Sequence, residues 1–468
     1  MKWLYDNLEY LFLALIIVAL LWFTGINLNT SASRTYEKAL FDDSYVHRVE
    51  ISLDPLDYQK ILENPTEKIK YHANIKIDSE LVSDVAISIR GNATLYEIAA
   101  NEENEKYSYK INFGKWHAGR TYLGLDSLIL NNFHSDPSYL RDRLAFKIMD
   151  EVGVDAPLNS YAEVFINETP LGVYLAVEDY DDSFLARTEN SDASLIKPEP
   201  LAHDRFKEAQ IRHQTPDSLG DLVADVFSED YDSGGAELVY LDDNPESYPA
   251  IFDNSLTSLS AKEKRDIVLA LESISPDSSA NYENYWNVEA LARYAAAQSY
   301  IINHDSYIGI IPHNYILEMT DRGITMLPWD YGLAFKNNWN EGNYQTTEDH
   351  ARAPVESLIV SIDESRRPLW AKLQSDSNFN ARFHETLKNI LSTETFSSTL
   401  ETFISENYDL IKTHVLEDPE RFIDMADFES EVEYLKDFTR LRSESISESL
   451  NALATPSEPF LIRNDFKI

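Results

Sequence analysis

The sequence predicts an α+β protein, with a mainly antiparallel sheet region first and a mostly helical region after it. Three observations carry that expectation. Segments of period two, such as HRVEISL (47–53) and VSDVAISIR (82–90), dominate the first third. Helical spacing with long charged faces dominates the end, as in FNARFHETLKNIL (379–391) and FESEVEYLKDFTRLRSESISESL (428–450). Hydrophobic residues make up 43% of the 468, enough to bury a large core and to argue against global disorder.

Taken in order, residues 11–23 (LFLALIIVALLWF) are apolar without a break, and Thr24, Gly25 and Ile26 extend the run. The run suits a signal anchor flanked by Tyr10 and Trp22, so residues 1–33 read as anchor and tether. On that reading the chain is held at a membrane by a single N-terminal helix, with residues 34–468 outside the cytoplasm. A buried core helix is the alternative for the same run. DPLDYQKILEN (54–64) opens with Asp-Pro and then spaces its apolar residues as a short helix. YHANIKID (71–78), VSDVAISIRGN (82–92) and YSYKINF (107–113) alternate as strands. DPSYLRDRLAFKIMDEVG (136–153) reads as a helix, capped by Asp136 and stopped by Gly153. SYAEVFIN and LGVYLAVED form a hairpin across Glu168–Pro170.

Between 187 and 285 regular periodicity fades, which predicts an irregular insertion over about 200–280 with short helices such as 261–273. VEALARYAAAQSYII (288–302) is a helix that delivers the chain to Asp305, and NYILEM and ITMLPWD are two strands around TDRG. From about 367 to 450 the pattern is helical. The expected organisation is one domain over 34–468.

Composition excludes several functions. The chain has 40 basic against 80 acidic residues, a formal charge of −40, which repels nucleic-acid phosphates. It has no cysteine, so disulfides and Cys-ligated metals are absent. No phosphate loop of the GxxxxGK[ST] type, no HExxH and no GxSxG occurs.

The passage NHDSYIGIIPHNYILEMTDRGITMLPWDYGLAF (303–335) sets Asp305, Asn314 and Asp330 among apolar neighbours. Buried carboxylates and amides need hydrogen bonds, charge partners or metal. Phosphoryl transfer needs a carboxylate near the acceptor hydroxyl and oxygen ligands for a divalent ion on the phosphates. Protein kinases supply these as an Asp, an Asn shortly after and a second Asp beyond a hairpin. Asp305, Asn314 and Asp330 come in that order, with His304-Asp305 echoing H-R-D and Asp330-Tyr331-Gly332 echoing D-F-G.

This passage resembles the signature of the CotH family, the spore-coat-protein-H-like atypical protein kinases. The likeness extends to IRGNAT (89–94), KYSYKINF (106–113), the stretch from Gly124 to Leu185 and LIKPE (195–199). It implies an atypical protein-kinase-like fold, ATP with Mg²⁺ or Mn²⁺, and a Ser or Thr of a protein as acceptor. It further implies Asp305 as the catalytic aspartate and Asp330 and Asn314 as metal ligands. Lys110 and Lys106 are then the candidate phosphate-holding lysines, Glu178 the residue that orients one of them, and Arg90 and Arg141 further phosphate contacts. The chain departs from the family pattern at Gly332, where many members carry a second polar side chain, and at Tyr107, where a lysine is frequent. A catalytically inactive envelope scaffold or surface interaction protein is the alternative function.

Overall fold

A computed structural model describes residues 35–91, 93–100, 105–200, 233–336, 345–356 and 363–454. The early alternating segments form β1 (His47–Leu53), β2 (Tyr71–Ile77), β3 (Glu80–Arg90), β4 (Ser108–Asn112), β5 (Ser127–Asn131), β6 (Asn159–Ile166) and β7 (Thr169–Glu178). They close into a barrel in the order β1-β2-β3-β4-β5-β7-β6. Neighbours are antiparallel except β1 and β6, whose parallel pairing, with Val49 opposite Val164, completes the ring. The β6–β7 hairpin turns through Asn167 and Glu168, both with left-handed backbone.

The period of two decides what each strand face covers. In β5, Leu128 and Leu130 point into the barrel beside Ile111, Val164 and Tyr174. Ile129 points out and joins Val173, Leu175 and Val177 of β7 in a second core shared with the helices. The outer face of β3, β4, β5 and β7 is therefore a roof over the rest of the molecule.

The short helix α1 (Pro55–Glu63) starts as expected, with the Asp54 carboxylate accepting the Leu56 amide and Pro55 in the first turn. The helix α2 (Arg141–Glu151) begins five residues later than the cap expected at Asp136. The Asp136 carboxylate instead accepts the Ser138 and Arg141 amides, folding 136–140 into a turn in which Tyr139 has φ 58°.

In the described part of the irregular region, α3 (Ala261–Ser273) carries a capping box between Ser260 and Glu263. Then α4 (Val288–Ile301) leads into a small sheet of β8 (Ser194–Ile196), β9 (Tyr315–Thr320) and β10 (Gly323–Pro328), ordered β10-β9-β8. The helical remainder comprises α5 (Pro368–Gln374), α6 (Ser377–Thr386), α7 (Glu394–Glu417) and α8 (Met425–Ala454). The segment 379–391, expected as one helix, changes to π-helical hydrogen bonding over Leu387–Leu391.

The barrel is tied to the helical part by a buried ion pair. Lys106 Nζ lies 2.5 Å from Asp418 Oδ2 at the end of α7, both side chains fully buried, and the same oxygen accepts the Val173 amide at 2.9 Å. Gly172 permits this approach. A Cβ there would sit 2.0 Å from the Asp418 carboxylate, and its φ of +90° suits glycine.

The α+β class stands, with the sheet region first and the helices after it. The expected membrane-anchored, extracytoplasmic location is corrected: among the described residues no helix is long and apolar enough to cross a membrane. The apolar run that prompted it, 11–26, lies outside the described residues.

Candidate functional site

The passage 303–335 is a hairpin entered from a helix. At the end of α4, Ile302 takes a left-handed conformation and turns the chain into the loop 303–313. Tyr315 pairs with Pro328, so the residues flanking the hairpin, Asn314 and Asp330, emerge at the same end. Both have φ 55°, a region Asn and Asp tolerate better than other non-glycine residues. The loop also folds back on itself tightly: a Cβ on Gly309 would lie 1.7 Å from the His304 carbonyl oxygen, so only glycine fits.

Asp305 and Asn314 are joined directly. Asn314 Nδ2 donates to Asp305 Oδ2 at 2.9 Å and to the Asp305 carbonyl at 3.0 Å. The amide nitrogen is thereby spent, which leaves the amide oxygen as the atom able to ligate. The other carboxylate oxygen, Asp305 Oδ1, lies 3.1 Å from His313 Nε2, while His313 Nδ1 lies 2.9 Å from the Ile311 carbonyl. Both ring nitrogens thus face acceptors, which only a doubly protonated imidazole can satisfy. Burial disfavours that charge, but the charge and hydrogen bond of Asp305 outweigh it and push His313 up to about 9.

Asp330 faces a different set of groups. Its carboxylate is open to water yet recessed in a cleft lined by Arg90, Asn131, Asp142, Phe146 and Trp329. Recession and the charge of Asp305 push it up, while Arg90, Lys197 and His313 pull it down; the access of water limits the upward push. Beneath it, Asp142 of α2 accepts the Tyr331 amide at 2.6 Å and the Asn131 side-chain amide at 3.2 Å. Burial first, then the charge of Asp330, pushes Asp142 up to about 8. Trp329 lies between two cations, with the Arg90 guanidinium and the Lys197 ammonium each 5.1 Å from its ring centre.

The barrel supplies the roof. Arg90 ends β3, and Lys110 stands on the outer face of β4, half-exposed and ion-paired with Asp179 just beyond β7. Arg90 therefore lines the cleft from above, and Lys110 stands on the same roof beside Ile129, another residue of the cleft wall, with the carboxylates below.

Three expected site residues lie elsewhere. Lys106 is enclosed by its pair with Asp418 and by the Tyr139, Tyr174 and Phe422 rings, so it holds the barrel to α7 rather than a phosphate. Glu178 orients neither lysine: it is fully buried, accepts from Arg187 Nε at 2.9 Å and from Tyr36 at 2.7 Å. Its place on β7 shares the inward face of Tyr174 and Ala176, whereas Asp179 comes out on the roof beside Lys110. Arg141 is buried against Glu431 of α8 and Asp136.

The site also contains His313, Asp142, Asp179 and Lys197, which the sequence reading did not select. His313 stands inside the quoted passage, next to Asn314, and Lys197 inside LIKPE. Counting alternation from Val173 to Asp179 would have favoured Asp179 over Glu178.

The arrangement can do three things chemically. It offers a solvent-reachable carboxylate and an amide oxygen to a divalent cation, cations from the roof to an anionic ligand, and a separate carboxylate fixed by two donors.

Comparison with known proteins bears on the family. A family model described as "CotH kinase protein" matches residues 87–446. The chain is 21% identical over 406 residues to the inner spore coat protein H of Bacillus subtilis (strain 168), spanning 86% of this chain and 97% of that protein. It is 37% identical over 83 residues to the inner spore coat protein H-like protein of the same organism, spanning 18% of this chain and 25% of that one. By the extent of the family match, the chain belongs to the CotH kinase protein family.

Proposed function

We propose that the chain is an atypical protein kinase that transfers the γ-phosphoryl group of ATP to a Ser or Thr hydroxyl of a protein, with Mg²⁺ or Mn²⁺. The observation that carries this reading is the pairing of Asp305 with Asn314 at the hairpin end where Asp330 faces Arg90 and Lys197. A barrel roof over a helical part, with the cleft between them, supports a kinase-like fold. The names of the relatives support a protein coat as the setting.

The residues fit a divalent ion. The charge of Asp330 raises the proton affinity of Asp142, and that of Asp305 raises the proton affinity of Asp330, a repulsion that a cation would relieve. Asp330 and the Asn314 amide oxygen would hold it, and magnesium commonly takes few protein ligands, with water and phosphate filling the rest. Bound there, the ion would neutralise charge on the phosphates. Lys110 and Arg90 would bind the phosphate oxygens from the roof, and Lys197 would add charge beside Trp329.

Asp305 has a separate task. His313 and Asn314 occupy one hydrogen-bonding position on each of its oxygens, fixing the carboxylate in place. A remaining lone pair would accept a hydrogen bond from the acceptor hydroxyl and orient it towards the γ-phosphorus. As the new P–O bond forms and the bond to the ADP oxygen breaks, the hydroxyl proton passes to Asp305 and then to solvent.

The experiment is transfer of label from γ-labelled ATP to a Ser-rich protein with Mn²⁺ or Mg²⁺, run beside thermal stabilisation by the nucleotide. Transfer and stabilisation by the wild type support the kinase. Stabilisation without transfer under either metal favours the scaffold reading, to which Gly332 lends support by leaving a second polar position empty.

A further inference from the structure

The loop between Asp305 and Asn314 is buried apart from the half-buried His313, and so are the backbone carbonyls at its centre. Buried carbonyls need donors. One side chain supplies donors to three of them. Arg367, fully buried just ahead of α5, donates from Nε to the Tyr307 carbonyl at 2.5 Å and from Nη2 to the Gly309 and Ile310 carbonyls at 2.5 and 3.0 Å. Its Nη1 donates to Glu237 Oε1 at 3.2 Å, and the guanidinium lies 5.4 Å from the Tyr307 ring centre.

Glu237 completes the brace. It is buried, accepts also from Arg366 Nε at 2.6 Å, and its carbonyl accepts the Tyr307 hydroxyl at 3.0 Å. The neighbouring Ala236 carbonyl accepts the Tyr315 hydroxyl at 2.7 Å, on the first residue of β9. Two distant stretches, 236–237 and 366–367, therefore grip the loop from behind on both sides of Asn314.

We propose that Arg367, oriented by Glu237, is a positioning residue for phosphoryl transfer: through the 307–310 carbonyls it sets where Asp305 and Asn314 stand, without touching the cleft. The claim rests on the kinase reading of that loop. The guanidinium is suited to this because its planar fork engages three carbonyls and a carboxylate at once, whereas a lysine ammonium at the same place cannot reach all of them. The roof residues Arg90 and Lys110 and the other metal-holding residue, Asp330, lie outside the grip, so transfer should fall much more than nucleotide binding.

The test uses the full chain with Arg367→Lys and Glu237→Gln. For R367K, kcat for transfer falls about 100-fold, the cost typical of a reacting group displaced by about 1 Å, while KM for ATP stays within about threefold. E237Q, which keeps Arg367 and its carbonyl contacts, loses about tenfold in kcat and folds even if R367K does not. A lower melting temperature with unchanged kcat in the folded protein would overturn the proposal, because a residue that only stabilises the fold does that. Hydrogen exchange separates the brace from the kinase reading: amides of 305–314 in either variant should exchange at least about tenfold faster than in the wild type, with the barrel strands unchanged. Unchanged protection of that loop overturns the brace whether or not the wild type transfers phosphate. Absence of transfer by the wild type with faster exchange in the variants would sink the kinase reading and, with it, the catalytic purpose of the brace.

Discussion

Gly309→Ala tests whether the tight loop fixes the position of the candidate catalytic aspartate. A Cβ at 309 would lie 1.7 Å from the His304 carbonyl oxygen and 2.7 Å from its carbon, where real Cβ contacts start at about 3.0 Å. The two backbone segments must therefore separate by more than about 1.3 Å, in a close-packed interior that does not yield continuously. The obstacle is backbone, so no side-chain rotation relieves it. Asp305 follows His304 directly and moves with it. Overpacking of this kind costs ~1–3 kcal/mol of stability, and displacement of a reacting group by about 1 Å costs about 100-fold in rate. The assay is transfer from labelled ATP below the melting temperature, with the melting temperature measured alongside. Wild-type transfer by G309A would refute the reasoning, even with a lowered melting temperature, because the strain would then be absorbed away from Asp305.

Gly172→Ala should lower stability by roughly 3–5 kcal/mol, the cost of breaking a buried ion pair, since its Cβ would displace the Asp418 carboxylate from Lys106; an unchanged urea midpoint contradicts this. His313 is raised from its ordinary value to about 9, so its contribution to stability is whole below about pH 6.5, shrinks as pH rises and is gone above about 9. His313→Asn should flatten that part of the curve in urea titrations, and identical curves for the two proteins would contradict it. Arg90→Ala or Lys110→Ala should raise KM for ATP about tenfold, the loss of one charge-assisted contact, with the smaller effect on kcat. Glu178→Gln should leave KM for ATP unchanged and lower the melting temperature instead, because Glu178 holds Arg187 and Tyr36.

Local pattern was enough where local chemistry decides. Asp54-Pro55 starts α1, Ser260 and Glu263 start α3, and the hairpin around TDRG places Asn314 and Asp330 together. Closure of the barrel was not legible, because it depends on β1 meeting β6 in parallel across more than a hundred residues. Asp136 misled as a helix cap because the same carboxylate satisfies a turn and an amide five residues on.

At the site, the spacing of Asp305, Asn314 and Asp330 was legible, since all three sit on one local hairpin. The lysines were not, because Lys106 and Lys110 differ only in what long-range partners surround them: Asp418 and three rings for one, Asp179 for the other. Arg367 and Glu237 carry no local signal at all, and only folding brings them behind the loop.

The most direct test of the central claim is stoichiometric phosphoryl transfer by wild type, Asp305→Ala and Asp330→Asn in matched Mn²⁺ and Mg²⁺ buffers. The account predicts transfer by the wild type and at least about 100-fold less by each variant. Nucleotide-induced stabilisation should survive in Asp305→Ala and weaken in Asp330→Asn. Equal transfer by all three proteins, or none by a folded wild type that binds ATP, would contradict it.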